Sequence, residues 1–242
     1  QEVTAACIEC HSQQASDFMK TRHWNWEGDS INYKGKNIKF GKKHSINNML
    51  ISISSNEPLC TSCHPGFGWV DNNFDFSKAE NIDCLVCHDQ TGTYKRETVF
   101  DSKNPKKIDL LNAARNVGKP TKQNCGTCHF SGNGLNHAEM DPSVLSVDAK
   151  LDVHMNEKGM ECIDCHKAES HNIKGANHGS MISNTNHISC TNCHDPNTKI
   201  HKNALLNKHI NNIACETCHI PTYARILPTK TYWDWSKKKK KD

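Results

Sequence analysis

Apolar residues are sparse along this chain and gathered in short bursts, and three stretches predict regular elements. Ser12 to Trp26, with its Ala, Gln, Phe and Met content, predicts a helix that ends near Trp26-Glu27-Gly28. Ile31 and Tyr33, then Ile38 and Phe40, alternate on either side of Lys34-Gly35-Lys36-Asn37 and predict a small hairpin. The longest helical signal has Asn104 as N-cap, Pro105 at the first turn, Ile108, Leu111 and Ala114 on one face, Gly118 after the last turn and Pro120 as stop. Phe67-Gly68-Trp69 and Phe74-Asp75-Phe76 form an aromatic stretch without a helical period. Nothing approaches the 18 or more apolar residues of a membrane span.

These bursts are too little for a protein of this size. Only 35% of the 242 residues are hydrophobic and the mean hydropathy is −0.75. Side chains alone would hardly offset the entropy of ordering such a chain. Something other than side chains has to supply the core.

Seven copies of Cys-x-x-Cys-His name that something. They are Cys7, Cys10 and His11; Cys60, Cys63 and His64; Cys84, Cys87 and His88; Cys125, Cys128 and His129; Cys162, Cys165 and His166; Cys190, Cys193 and His194; and Cys215, Cys218 and His219. All 14 cysteines are used. Two thiols three residues apart reach the two vinyl groups of one haem as thioethers, and the adjacent His supplies an axial nitrogen to iron. Zinc knuckles and redox dithiols share Cys-x-x-Cys but do not need the following His. The expected cofactors are therefore seven c-type haems, with about 35 residues of chain for each. The predicted fold class is mainly α with extensive irregular loops and little β, a multihaem cytochrome c wrapped around a haem stack. The predicted division is 1–120, holding haems 1 to 3, the hairpin and the spacer helix, and 121–242, holding haems 4 to 7 and a Lys-rich tail. Without a linker near residue 120 that boundary is soft, and the two regions read as one haem-cored unit.

The formal charge of +4 changes meaning once haem is counted. Each haem adds two propionates and a ferric core of about one positive charge, which moves the loaded protein to roughly −3. Only Arg22, Arg96, Arg115 and Arg225 accompany the lysines, so nucleic acid is not an expected partner. C-type attachment takes place outside the cytoplasm, which predicts a periplasmic or extracellular protein. No signal peptide precedes Gln1-Glu2-Val3, as expected of a processed chain.

Nine histidines lie outside the motifs: His23, His44, His137, His154, His171, His178, His187, His201 and His209. Seven irons each need a second axial ligand. The near match in number predicts mainly bis-His, six-coordinate iron, a state with no open site and suited to electron transfer.

The chain resembles the octahaem cytochromes of the tetrathionate reductase family, distant relatives of hydroxylamine oxidoreductase. The resemblance runs through His23-Trp24-Asn25-Trp26, Gly41-Lys42 with Ile46-Asn47-Asn48, Asn56-Glu57-Pro58-Leu59, Gly66-Phe67-Gly68-Trp69 and Val117-Gly118-Lys119-Pro120. It continues through Cys125 to Phe130, Asp152-Val153-His154-Met155, His201-Lys202-Asn203, Leu206-Asn207-Lys208-His209, and Cys215 to Pro221 with Tyr223-Ala224-Arg225. It implies distal ligands at His23, His137, His154, His171, His201 and His209, leaving over His44, His178 and His187. It further implies a lysine on the substrate haem; Lys42 before the second motif is the candidate, with Lys43 and His44 as rivals. The family has an eighth haem and this sequence has seven motifs. That leaves a chain cut after its Lys run or a heptahaem offshoot.

Two functions follow as expectations. In one, bis-His haems deliver electrons to a Lys-ligated second haem that reduces a small sulfur or nitrogen oxyanion such as tetrathionate, nitrite or hydroxylamine. In the other the chain is a conduit without catalysis, either a shuttle or a subunit of a homo-oligomer or cytochrome filament. Other redox proteins or cytochromes are the expected partners in both.

Overall fold

The computed structural model describes residues 1–28, 30–39, 41, 43, 61–71, 73–95, 108–129, 153–175, 188–196 and 200–220. Its regular structure is short helices and two small antiparallel sheets, joined by irregular chain. The predicted mainly helical, loop-rich class is what is observed. No described helix is long and apolar enough to cross a membrane.

The first helix departs from its predicted bounds. Helix α1 runs Glu2–Phe18 and so already contains the first motif, with a kink at His11 where φ/ψ is −113/34°. It stops at Phe18 rather than near Trp26 because Thr21 serves two ends at once. Its hydroxyl donates to the Phe18 carbonyl at 2.7 Å and accepts from the Trp24 amide at 3.3 Å, closing α1 and capping a separate turn, α2, at Arg22–Asn25. Trp26 then ends that turn in the left-handed region at φ 52°. The break aims His23 and Trp24 in different directions, as the site requires.

The hairpin forms as β1, Ser30–Tyr33, against β2, Lys36–Lys39, in the register Tyr33 to Lys36. The connection is only Lys34-Gly35, both at positive φ (51° and 79°), the two-residue turn whose twist matches the strands. Phe40 lies outside the described residues.

The spacer helix is corrected more strongly. Among the described residues it is Leu110–Arg115, with the Asp109 carboxylate accepting from the Asn112 amide at 2.9 Å. Asn104 and Pro105 lie outside the described residues. Ala113 is the buried position, while Leu110 and Leu111 face out at 48% and 60% exposure, so the apolar face read from Ile108, Leu111 and Ala114 is not the one that packs. Asp109, an acid four residues into the expected helix, outcompetes that face by capping.

The protein-only core is small. Ala15, Trp24 and Ile82 form its centre, with Ile8, Phe18, Met19, Phe74, Phe76, Ala79 and Cys84 packed on it. Helix α1 is tied to this centre by Thr4, whose hydroxyl donates to the Ile82 carbonyl at 2.6 Å. Contacts also cross residue 120: the Arg22 guanidinium donates to the Gly175 carbonyl at 3.4 Å, and Phe18 meets His171 edge-on at 5.9 Å.

Candidate haem-binding site

Each described motif sits at a helix or helical turn. The third occupies Leu85–His88, the fourth Lys122–His129, the fifth Cys162–Cys165, the sixth Cys190–Asn192 and the seventh Glu216–His219. One helical turn separates the two cysteines of each pair and brings their sulfurs to one face. The thirteen described cysteines are thiols rather than disulfides, the state thioether attachment consumes. Cys60 lies outside the described residues.

The predicted attachment points differ in how open they stand. Cys10, Cys165, Cys190, Cys193 and Cys218 are exposed, which leaves their sulfurs open to a vinyl group. Cys7, Cys63, Cys84, Cys87, Cys125, Cys128, Cys162 and Cys215 are half-buried. In the first, fifth and seventh motifs the first cysteine of the pair, Cys7, Cys162 or Cys215, is half-buried and the second, Cys10, Cys165 or Cys218, is exposed. Cys87 shares its half-buried state with Cys84, so both anchor points of the third motif are enclosed, whereas both of the sixth, Cys190 and Cys193, lie at the surface.

The motif histidines are oriented by backbone carbonyls. His88 Nδ1 donates to the Gly118 carbonyl at 2.8 Å, and His166 Nδ1 donates to the Lys174 carbonyl at 2.8 Å. Fixing the proton on Nδ1 leaves the Nε2 lone pair for a metal and makes it a better ligand. Sequence reading misses Gly118 and Lys174 in this role, since a carbonyl acceptor leaves no residue-type signal.

Four motif histidines face a second histidine brought from elsewhere. Ring centroids are 6.3 Å apart for His23 and His129, 6.3 Å for His88 and His171, 6.1 Å for His154 and His194, and 6.0 Å for His201 and His219. Metal–imidazole bonds of about 2.0 Å, with a further ~1.1 Å from each nitrogen to its ring centre, would separate two imidazoles held by one iron by about 6.2 Å. The four separations are of that size. Among the described residues no three His, Cys, Asp or Glu side chains converge, as a protein-only zinc site would need. Burial, followed by the nearby His88, holds His171 below the ordinary imidazole range, which favours its neutral form.

Other predicted positions stand differently. His209 ends the helix Ala204–His209 and, like His11 and His166, meets no second histidine ring among the described residues. Lys42, His44, His137, His178 and His187 lie outside the described residues. His64 is fully buried among Trp24, Trp26, Trp69, Phe74 and Phe76, and its Nε2 donates to the Trp24 carbonyl at 2.7 Å. To ligate iron it must exchange that bond for the metal, so the second motif differs from the third and fifth.

Neighbouring motifs abut. The Cys125 and Cys162 thiols hydrogen-bond each other, which raises Cys125 and lowers Cys162 to about 7. The Cys63 thiol lies 4.0 Å from the Cys128 carbonyl, and the Cys190 thiol lies 3.7 Å from the Glu216 carboxylate. The second and fourth motifs, the fourth and fifth, and the sixth and seventh are therefore neighbours. Two acids bracket the third motif, Asp83 at 2% and Asp89 at 4% exposure. Burial works to raise Asp89, but the Thr91 hydroxyl and amide and the Tyr94 amide hold it below the ordinary carboxylate range.

So little protein core, seven haem-attachment motifs, and four motif imidazoles that each face a second histidine are features shared with the multihaem cytochromes c. Residues 6–89 match the family of cytochrome c554 and c-prime, and residues 147–224 match cytochrome c7 and related cytochrome c. In particular, the chain is similar to the octaheme cytochrome c of Shewanella oneidensis, at 45% identity over 97% of this chain with a TM-score of 0.77. It spans 53% of that longer chain. It is also similar to an uncharacterised protein of Archaeoglobus fulgidus, at 26% identity over 70% of this chain and 74% of the relative.

Proposed function

We propose that this protein is an exported electron carrier holding seven c-type haems, most of them with two histidine ligands. The observation that carries the proposal is the set of four histidine pairs at 6.0–6.3 Å, each joining a motif His to His23, His154, His171 or His201. Haem supplies the reversible one-electron chemistry. The chain supplies paired imidazoles, two of its motif histidines oriented by carbonyls, and motifs that lie beside one another. Its working place is periplasmic or extracellular and its partners are other redox proteins, including further copies in an oligomer or filament. Pyridine haemochrome analysis with intact mass is expected to give seven covalent haems per chain; fewer than six in matured protein, or stoichiometric zinc, overturns the proposal.

A second reading adds reduction of a small sulfur or nitrogen oxyanion at the second haem, with Lys42 as its distal ligand. Its support is local. Gly41 lies so close to the Trp26 backbone that no Cβ fits there, the Lys43 amide donates to the Trp26 carbonyl at 3.4 Å, and the Trp26 ring is 5.4 Å from His64. The two neighbours of Lys42 are thus anchored beside the second motif. The rival Lys43 pairs with Glu27 at 3.5 Å and lies over the Phe76 ring at 4.3 Å, which leaves His44 as the stronger competitor. An amine must lose its proton to bind iron, so lowering the pH is expected to release this ligand before any histidine and open the iron to anions. Lys42→Met is expected to alter the low-spin signal of one haem and the reduction of tetrathionate or nitrite. If both match wild type, the protein is a conduit alone.

A further inference from the structure

We propose that Asp83 and Asp89 form a buried anionic clamp on the third haem, lowering that one haem's reduction potential below what its enclosed surroundings alone would set. The proposal rests on the haem reading above and concerns what the chain does to one member of the array.

The third motif is flanked by buried residues. Ile82, Asp83, Leu85, Val86 and Asp89 are all buried, at 4%, 2%, 4%, 9% and 4% exposure. Asp83 immediately precedes Cys84, and Asp89 immediately follows His88, so one carboxylate stands at the thioether end of the motif and one at the ligand end. Both are surrounded by donors. The Tyr94 hydroxyl lies 3.0 Å from each oxygen of Asp83, and the Val86 amide donates to the same carboxylate at 3.2 Å. Asp89 accepts from the Thr91 amide and hydroxyl at 3.1 and 2.7 Å and from the Tyr94 amide at 3.3 Å. Amide N–H groups directed at a carboxylate, here Val86 on Asp83 and Thr91 and Tyr94 on Asp89, favour its anion.

The electrostatic consequence has a definite sign. A ferric haem core carries one positive charge more than a ferrous one, so a nearby fixed anion stabilises the oxidised form and lowers the potential. Enclosure by apolar side chains acts the other way, and away from water it also strengthens the effect of any charge inside it. Sequence position alone does not create the clamp. The sixth motif has the same Cys-His-Asp ending, yet Asp195 is exposed, where water and salt screen it. Glu9, Asp164 and Glu216, within or beside other motifs, are exposed as well.

Asp89→Asn keeps the side-chain size and one acceptor oxygen for Thr91 while removing the charge; Asp83→Asn does the same beside Tyr94 and is the second arm should the first variant fail to mature. In a spectroelectrochemical titration of the fully loaded protein, each is expected to move about one seventh of the haem absorbance change to more positive potential. The low-spin spectrum should stay unchanged, which shows that His88 and His171 remain in place. Asp195→Asn, the same change at an exposed position, is expected to move the curve far less. If the Asp89 and Asp83 variants titrate like wild type, shift no more than Asp195→Asn, or spread their shift over the whole array, the clamp is overturned. A variant with normal haem content and no shift counts against the clamp alone, whereas a wild-type chain without its haems counts against the underlying reading.

Discussion

Made without haem attachment, the chain is expected to show no cooperative unfolding transition in urea or on heating, and no fixed near-ultraviolet signal from its tryptophans. Among the described residues the apolar side chains that are buried number seven, and two of these are alanines. Around the last two motifs Leu205, Leu206, Ile213 and Ile220 stand at 60%, 43%, 39% and 50% exposure, surface that no described side chain covers. Porphyrin faces bring the missing apolar area, and their covalent attachment ties distant turns to one rigid plate. The measurement is urea denaturation of chain produced without cytochrome c maturation, beside the haem-loaded form. A sigmoidal transition in the first, with a slope suited to a domain of this size, would show that the protein core suffices and that haem is an addition to a finished fold.

Loss of one distal histidine is expected to change one iron and spare the others. His171→Ala removes the ring set 6.3 Å from His88 and leaves the His88 Nδ1 bond to the Gly118 carbonyl intact, so the third haem keeps one axial ligand and becomes high spin. Magnetic circular dichroism should then show about one seventh of the haems high spin, and the reduced variant should bind one carbon monoxide per chain. His201→Ala should do the same at the seventh haem, independently, since the two pairs share no residue. A fully low-spin His171→Ala spectrum would remove that histidine from the ligand set.

What can be read in the sequence is the covalent chemistry, because Cys-x-x-Cys-His is a local pattern with a local cause. The hairpin is equally legible, since Lys34-Gly35 marks a turn whatever surrounds it. Partnerships are not. Nothing near His23 says that it meets His129, nor anything near His171 that it meets His88, because those meetings are made by tertiary structure. The bounds of the helix over Ser12–Trp26 escape the sequence for a related reason: composition favours continuation, while one threonine hydroxyl serving both Phe18 and Trp24 ends it. Exposure is hidden too, since Cys87 and Cys193 hold the same place in identical motifs and only one of them is half-buried. Asp83 and Asp89 give no signal because an acid beside a motif reads as surface until burial is known, and Asp195 shows that the same tripeptide can sit in water.

The order of the paired histidines along the chain also bears on how the molecule is made. Haem is attached outside the cytoplasm, and a chain that arrives there from its first residue onward would offer His88 for attachment before His171. His129, by contrast, finds His23 already waiting, as His194 finds His154 and His219 finds His201. On the proposed ligand set the third haem would then pass through a five-coordinate stage during maturation, with its iron open to peroxide or carbon monoxide, while three others would find both axial ligands as soon as they were attached.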